Sequence, residues 1–64
     1  MSELIKKRAS ESIGKDVLIF LVNNFRFQGK LINADEKYLE ILDDRSRKYK
    51  LILIDEIKEI EVSA

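Results

Sequence analysis

The chain has 64 residues, with twelve Lys or Arg against twelve Asp or Glu, and it contains neither Cys nor His. That length supports one small domain, excludes a disulfide scaffold, and leaves almost nothing with which to bind zinc. A formal charge of zero argues against a generic nucleic-acid coat, but residues 1–50 hold eleven basic against eight acidic side chains and residues 51–64 one against four.

The first segment reads as a helix over about 3–13. Ser2 is placed to cap it, Ile5, Ala9 and Ile13 recur at helical spacing, and Gly14 is placed to end it in a left-handed cap. Lys6, Lys7 and Glu11 look outward. No apolar signal core precedes this segment and no run approaches a membrane span, so a soluble cytoplasmic protein is expected.

The unbroken apolar run Val17–Val22 predicts a strand over about 16–22, apolar on both faces and therefore to be covered on both. Asn23-Asn24 suits a two-residue hairpin turn, because Asn tolerates positive φ. A second strand over about 25–33 alternates Phe25, Phe27, Gly29 and Leu31 with Arg26, Gln28 and Lys30. Gly29, mid-strand, marks a sharp bend or a close backbone approach, so that one long strand serves both halves of a small barrel. Polar Ala34–Lys37 is a turn, and a third strand follows over about 38–43. After the charged loop Asp43–Lys48 come a fourth strand over about 48–54, a corner at Asp55-Glu56 and a fifth strand over about 57–62. The expected fold is all-β, a strongly bent five-stranded antiparallel barrel of the SH3 type with a short N-terminal helix, residues 1–64 forming one domain.

A chain this short usually needs a further staple, and association is the one left to it. The second half of strand four, Leu51–Ile54, is apolar on both faces, and strands at the ends of a sheet leave backbone groups unpaired. Pairing one copy's edge with the next copy's answers both demands, and a head-to-tail contact closes a ring when its rotation permits.

The residues resemble the Sm/LSm family, which includes Hfq and archaeal Sm-like proteins. The first Sm motif, a Gly-x-Leu-x-x-x-Asp core, is matched by Gly29-Lys30-Leu31-Ile32-Asn33-Ala34-Asp35, followed by Tyr38 and Leu42. Ile13–Ile19 looks like the family's lead into strand one. The second motif is met loosely by Leu51–Ile54 and Ile57–Ile60. The resemblance implies a ring of six or seven copies joined through strands four and five, binding single-stranded RNA, U-rich or A-rich. Carried over by position, Asp35 fits the third-loop Asp of the uridine site and Tyr38 the base-stacking position. Leu39 stands where the base-reading Asn would be, and the fifth-loop Arg-Gly falls near Leu53-Ile54, followed by Asp55-Glu56.

Candidate RNA contacts are thus Asp35, Lys37 and Tyr38 in one group and Arg45, Arg47 and Lys48 in another, the second interleaved with Tyr49 and Lys50. Asp35 has an alternative as a plain turn residue capping the hairpin backbone. Without His or Cys, and with no base partner for the scattered Ser residues, catalysis is not expected, nor is a metal or cofactor. The expected role is a ring-forming Sm-like protein of RNA metabolism. The alternative is a ring or small barrel that acts in protein assembly without RNA.

Overall fold

The structure, a computed structural model, describes residues 3–63. The expected Ser2 cap lies outside the described residues. One helix, α1 (Glu3–Ser10), leads into five strands: β1 (Asp16–Leu21), β2 (Arg26–Ala34), β3 (Tyr38–Asp43), β4 (Tyr49–Leu53) and β5 (Ile57–Val62). A single 3-10 turn, Ile54–Glu56, joins β4 to β5. All pairings are antiparallel and the sheet runs β4-β3-β2-β1-β5.

The order of the sheet, taken with the shortness of that last connection, forces its curvature. In a flat sheet the β4 and β5 edges would stand about 19 Å apart, at about 4.8 Å per strand. A 3-10 turn rises only about 2 Å per residue, so it joins them only if the sheet curls its two edges towards each other. Strand β2 makes the curl possible. Its first part, residues 26–30, pairs with β1, and residues 29–34 pair with β3, so only Gly29 and Lys30 are shared between the two ladders. At Gly29 a β-carbon would overlap the Leu42 carbonyl oxygen and lie 2.9 Å from its carbon. The glycine is therefore a place of close backbone approach. A register shift follows between Leu31 and Asn33, leaving Ile32 as the extra residue.

Alternation sorts the strands into two faces. Val17, Ile19, Leu21, Leu31, Leu39, Ile41, Ile52, Ile54 and Ile57 form the core with Ala9 of the helix, and Ile5, Phe27, Ile60 and Val62 pack against it. Each fully buried aliphatic side chain contributes roughly 1.5–3 kcal/mol. The helix lies against β2 and β5.

Four local expectations are corrected. The helix ends at Ser10 and not near Ile13, because the hydroxyls of Ser10 and Ser12 donate back to the carbonyls of Lys7 (2.9 Å) and Arg8 (2.6 Å) and compete with further helical turns. Ile13 consequently leaves the apolar stripe and stands 48% exposed, while Ser12 is buried. Gly14 does adopt φ +90°, but in the approach to β1, where its N–H donates to Leu31 O at 2.7 Å. The first hairpin turns through three residues. Asn24 takes the left-handed conformation (φ 71°), and Val22 leaves the strand to donate its N–H to Glu56 O. Finally, the outer face of β1 is not fully covered within one copy, and that of β4, as expected of strand four, is left open. Leu18 and Phe20 are half-buried, and Tyr49 and Leu51 are 65% and 67% exposed.

Substituting Gly29→Ala tests the close approach. The added methyl must push β3 away, so the urea midpoint should fall by the equivalent of about 1–3 kcal/mol. An unchanged midpoint would show that the two backbones are not in contact.

Candidate nucleic-acid interface

Six residues were candidates for RNA contact, and the structure separates them into two places. Asp35, Lys37 and Tyr38 occupy the β2–β3 turn, while Arg45, Arg47 and Lys48 occupy the β3–β4 turn. These turns stand at opposite ends of β3, about 17 Å apart at about 3.4 Å per residue. They do not form one site within a copy.

The β2–β3 turn is built on Asp35. Its carboxylate accepts from the backbone N–H groups of Lys37 (2.8 Å) and Tyr38 (2.7 Å), and its own N–H donates to Tyr38 O. Those two backbone bonds, that from Tyr38 first, hold its carboxyl below the ordinary value of 3.8. The carboxylate is thus engaged as a turn cap. Tyr38 opens β3 opposite Leu53 of β4, and Lys37 O accepts from Ile54 N at 2.8 Å. The third and fifth loops therefore adjoin, as a base pocket between them requires. Their composition does not favour a phosphate: the two loops carry Asp35, Glu36, Asp55 and Glu56 against Lys37, and the nearest further cation is Lys50 of β4, which lines one pocket with Tyr38 and Glu56. Leu39, in the position of the base-reading Asn, is fully buried in the core.

The β3–β4 turn is organised by Asp43, the one buried carboxylate among the described residues. Its Oδ2 accepts from both the N–H (2.8 Å) and the hydroxyl (2.9 Å) of Ser46. Its backbone pairs with Lys48 O and Arg47 N. The Ser46 bonds, backbone first, hold its carboxyl below the ordinary range. So clamped, the turn leaves Arg45, Arg47 and Lys48 exposed, with Arg47 in the left-handed region at φ 61°. Asp44 N then donates to Gln28 O, which lays the turn against the start of β2.

That contact creates an open groove of about 790 Å³. Phe25, Arg26 and Gln28 from the start of β2 line it with Asp43, Asp44 and Arg45 from the turn and with Lys50, whose Nζ lies 5.3 Å from the centre of the Phe27 ring. Phe25 is 64% exposed. An exposed ring among cations is the composition that holds a single strand, through base stacking on the ring and phosphate contact with Arg. Sequence reasoning gave Phe25, Arg26 and Gln28 no role in binding. The available signal was the Arg26, Gln28, Lys30 face of β2, but its closeness to Arg45 depends on a tertiary contact.

Among the described residues, no group of His, Cys, Asp or Glu is arranged to hold a metal ion, and no helix is long and apolar enough to cross a membrane. No family model matches the sequence, and no curated protein matches it. Among solved structures, the chain is similar to a crystal structure of Hfq, described as a pleiotropic translational regulator. The TM-score is 0.77 at 18% identity, and the match covers 91% of this chain and 97% of that one. The fold is Sm-like. At that identity the likeness is one of architecture, and the five-stranded sheet with its short N-terminal helix carries it.

The two clamped carboxylates set an acid limit on stability. Both have folded-state values below the ordinary 3.8, so their contribution is present above that value and is lost as pH falls through the lower, folded-state values. Urea midpoints measured downward from about pH 6 should hold until near 3.8 and then drop. In Asp35→Asn with Asp43→Asn the midpoint should be lower near neutrality and the acid decline shallower. An equally steep decline in the double variant would assign acid sensitivity to other groups.

Proposed function

We propose that this chain is a cytoplasmic, non-enzymatic Sm-like subunit that assembles through β4 and β5 into a ring of six or seven copies. We propose further that the ring binds single-stranded RNA, U-rich or A-rich, on the face bearing the β3–β4 turn. The observation that carries the RNA reading is the groove between that turn and β2, where exposed Phe25 lies among Arg26, Arg45 and Lys50. Arg47 and Lys48 extend its positive charge along the turn. Asp35, Lys37 and Tyr38 take the lesser part, because Asp35 is engaged in its turn and the neighbouring loop supplies Asp55 and Glu56. The ring reading is supported by the two sheet edges left without a partner strand in one copy and by the exposed Tyr49 and Leu51 on β4. Similarity to a translational regulator accords with a role at the level of RNA.

A second reading, assembly with proteins alone, is favoured by one observation: buried Leu39 and the acidic fifth loop remove the family's uridine chemistry. Fluorescence anisotropy with short U-rich and A-rich oligonucleotides decides between the two. Under the RNA reading, Arg26→Ala with Arg45→Ala and Lys48→Ala weakens binding and flattens its salt dependence by about 0.7 in log–log slope for each phosphate no longer neutralised. Phe25→Ala costs about 1–3 kcal/mol of binding, and Tyr38→Ala changes little. Loss of binding on Tyr38→Ala alone would return the site to the β2–β3 turn. Absence of binding to both oligonucleotides at low salt would favour protein assembly.

A further inference from the structure

The outer face of β1 and its two neighbours is laid out in three columns. Residues paired across a ladder share one side of the sheet, so Phe20 has Glu59 of β5 on one flank and Arg26 of β2 on the other. One row along, Leu18 lies between Glu61 and Gln28. Leu18 and Phe20 are only half-buried, and the hairpin beyond them exposes Val22 and Phe25. The face thus carries an acidic column, an apolar column and a polar column that is basic at Arg26. Glu59, Glu61 and Arg26 are exposed, and none of them makes an ion pair among the described residues.

Such a face is its own complement. Turned over about a two-fold axis that runs along β1, a second copy sets its Phe20 and Leu18 on the same residues of the first. Each row keeps its position along that axis, so the second copy's Glu59 stands over Arg26 and its Glu61 over Gln28. At the next row Asp16 meets its own counterpart with Lys30 beside each, which leaves that end balanced. A two-fold axis across the strands would instead set the acidic columns against each other, and is disfavoured. Sheets packed face to face stand about 10 Å apart, a gap that Glu and Arg side chains span by meeting midway.

We infer that a second copy of this chain covers the outer face of β1, related by a two-fold axis along that strand, with apolar contact at its centre and a Glu59–Arg26 ion pair on either side. The open edges of β4 and β5 take no part, so the inference stands apart from the ring reading. Whatever number of copies the edges join, this face doubles it. The pair uses Arg26 and Gln28, which also line the groove proposed for RNA, and its test is therefore made without RNA.

The test is native mass spectrometry of the full chain at low salt over a dilution series, with circular dichroism to check the fold of each variant. The wild type should show a species with twice the number of copies that remains at high dilution. Glu59→Arg alone sets Arg against Arg26, and Arg26→Glu alone sets Glu against Glu59, so each should lose the doubled species. Both changes in one chain should restore it, and so should an equimolar mixture of the two single variants, as a mixed pair. A doubled species that survives either single change would overturn the inference, as would a loss that the combined changes do not restore. A wild type that forms a ring but never its double would overturn it and leave the ring reading standing. A wild type that passes only from one copy to two, with recovery in the double variant, would uphold it and contradict the ring. Should a charge reversal prevent folding, Glu59→Gln with Arg26→Gln takes its place. That neutral variant should double only at higher concentration than the wild type, and doubling at the same concentration would overturn the inference.

Discussion

Strand β2 has to pair with two neighbours in succession, and the close approach of Gly29 to the Leu42 carbonyl is what lets it do so. From that constraint follow the curl of the sheet, the nearness of β4 to β5 across one 3-10 turn, and the enclosure of a core large enough for so short a chain. The same geometry leaves both edges open. Curling buries one face of each strand and brings the edges near one another, yet in a single copy β4 and β5 do not pair. The fold thus satisfies its interior within one chain and leaves backbone hydrogen-bonding capacity at its rim, which makes association part of the physical account of its stability.

The same curl determines where charge collects. The β2–β3 turn meets the 3-10 turn through the Lys37 O to Ile54 N bond, and their side chains are predominantly acidic. The β3–β4 turn is held against the start of β2 by the Asp44 N to Gln28 O bond, and there exposed Phe25 shares a groove with Arg26, Arg45 and Lys50 and with Asp43 and Asp44. A chain with formal charge zero therefore presents separate anionic and cationic regions. Two turn-forming carboxylates keep the arrangement in place: Asp35 shapes one turn, and Asp43, by holding Ser46, keeps the cations of the other turned outward.

Much of the architecture was legible because the strands declare themselves by alternation and by turn residues. Phe27, Gly29 and Leu31 marked the inner side of β2, and Asn24 and Gly14 marked positions of positive φ. The end of the helix was not legible. Ile13 continues the apolar spacing, but the Ser10 and Ser12 hydroxyls donate back to the helix and Gly14 N–H is drawn to Leu31 O, so the chain turns before reaching it. The candidate site was legible in part. Arg45, Arg47 and Lys48 stand out as a local run of cations, but Phe25, Arg26 and Gln28 join them only through a contact between segments far apart in sequence. Asp43 belongs to the same charged run in sequence, but it is buried and holds the turn together through Ser46, which only the folded structure reveals.

The most direct test of the claim that other copies cover the open edges is amide hydrogen exchange across a dilution series. Strand β2 has a neighbour on each side within one copy, and β4 and β5 have one each. The account predicts that β4 and β5 are as protected as β2 at high protein concentration and lose that protection selectively on dilution. Rapid exchange in both edge strands at every concentration, with β2 protected throughout, would contradict it.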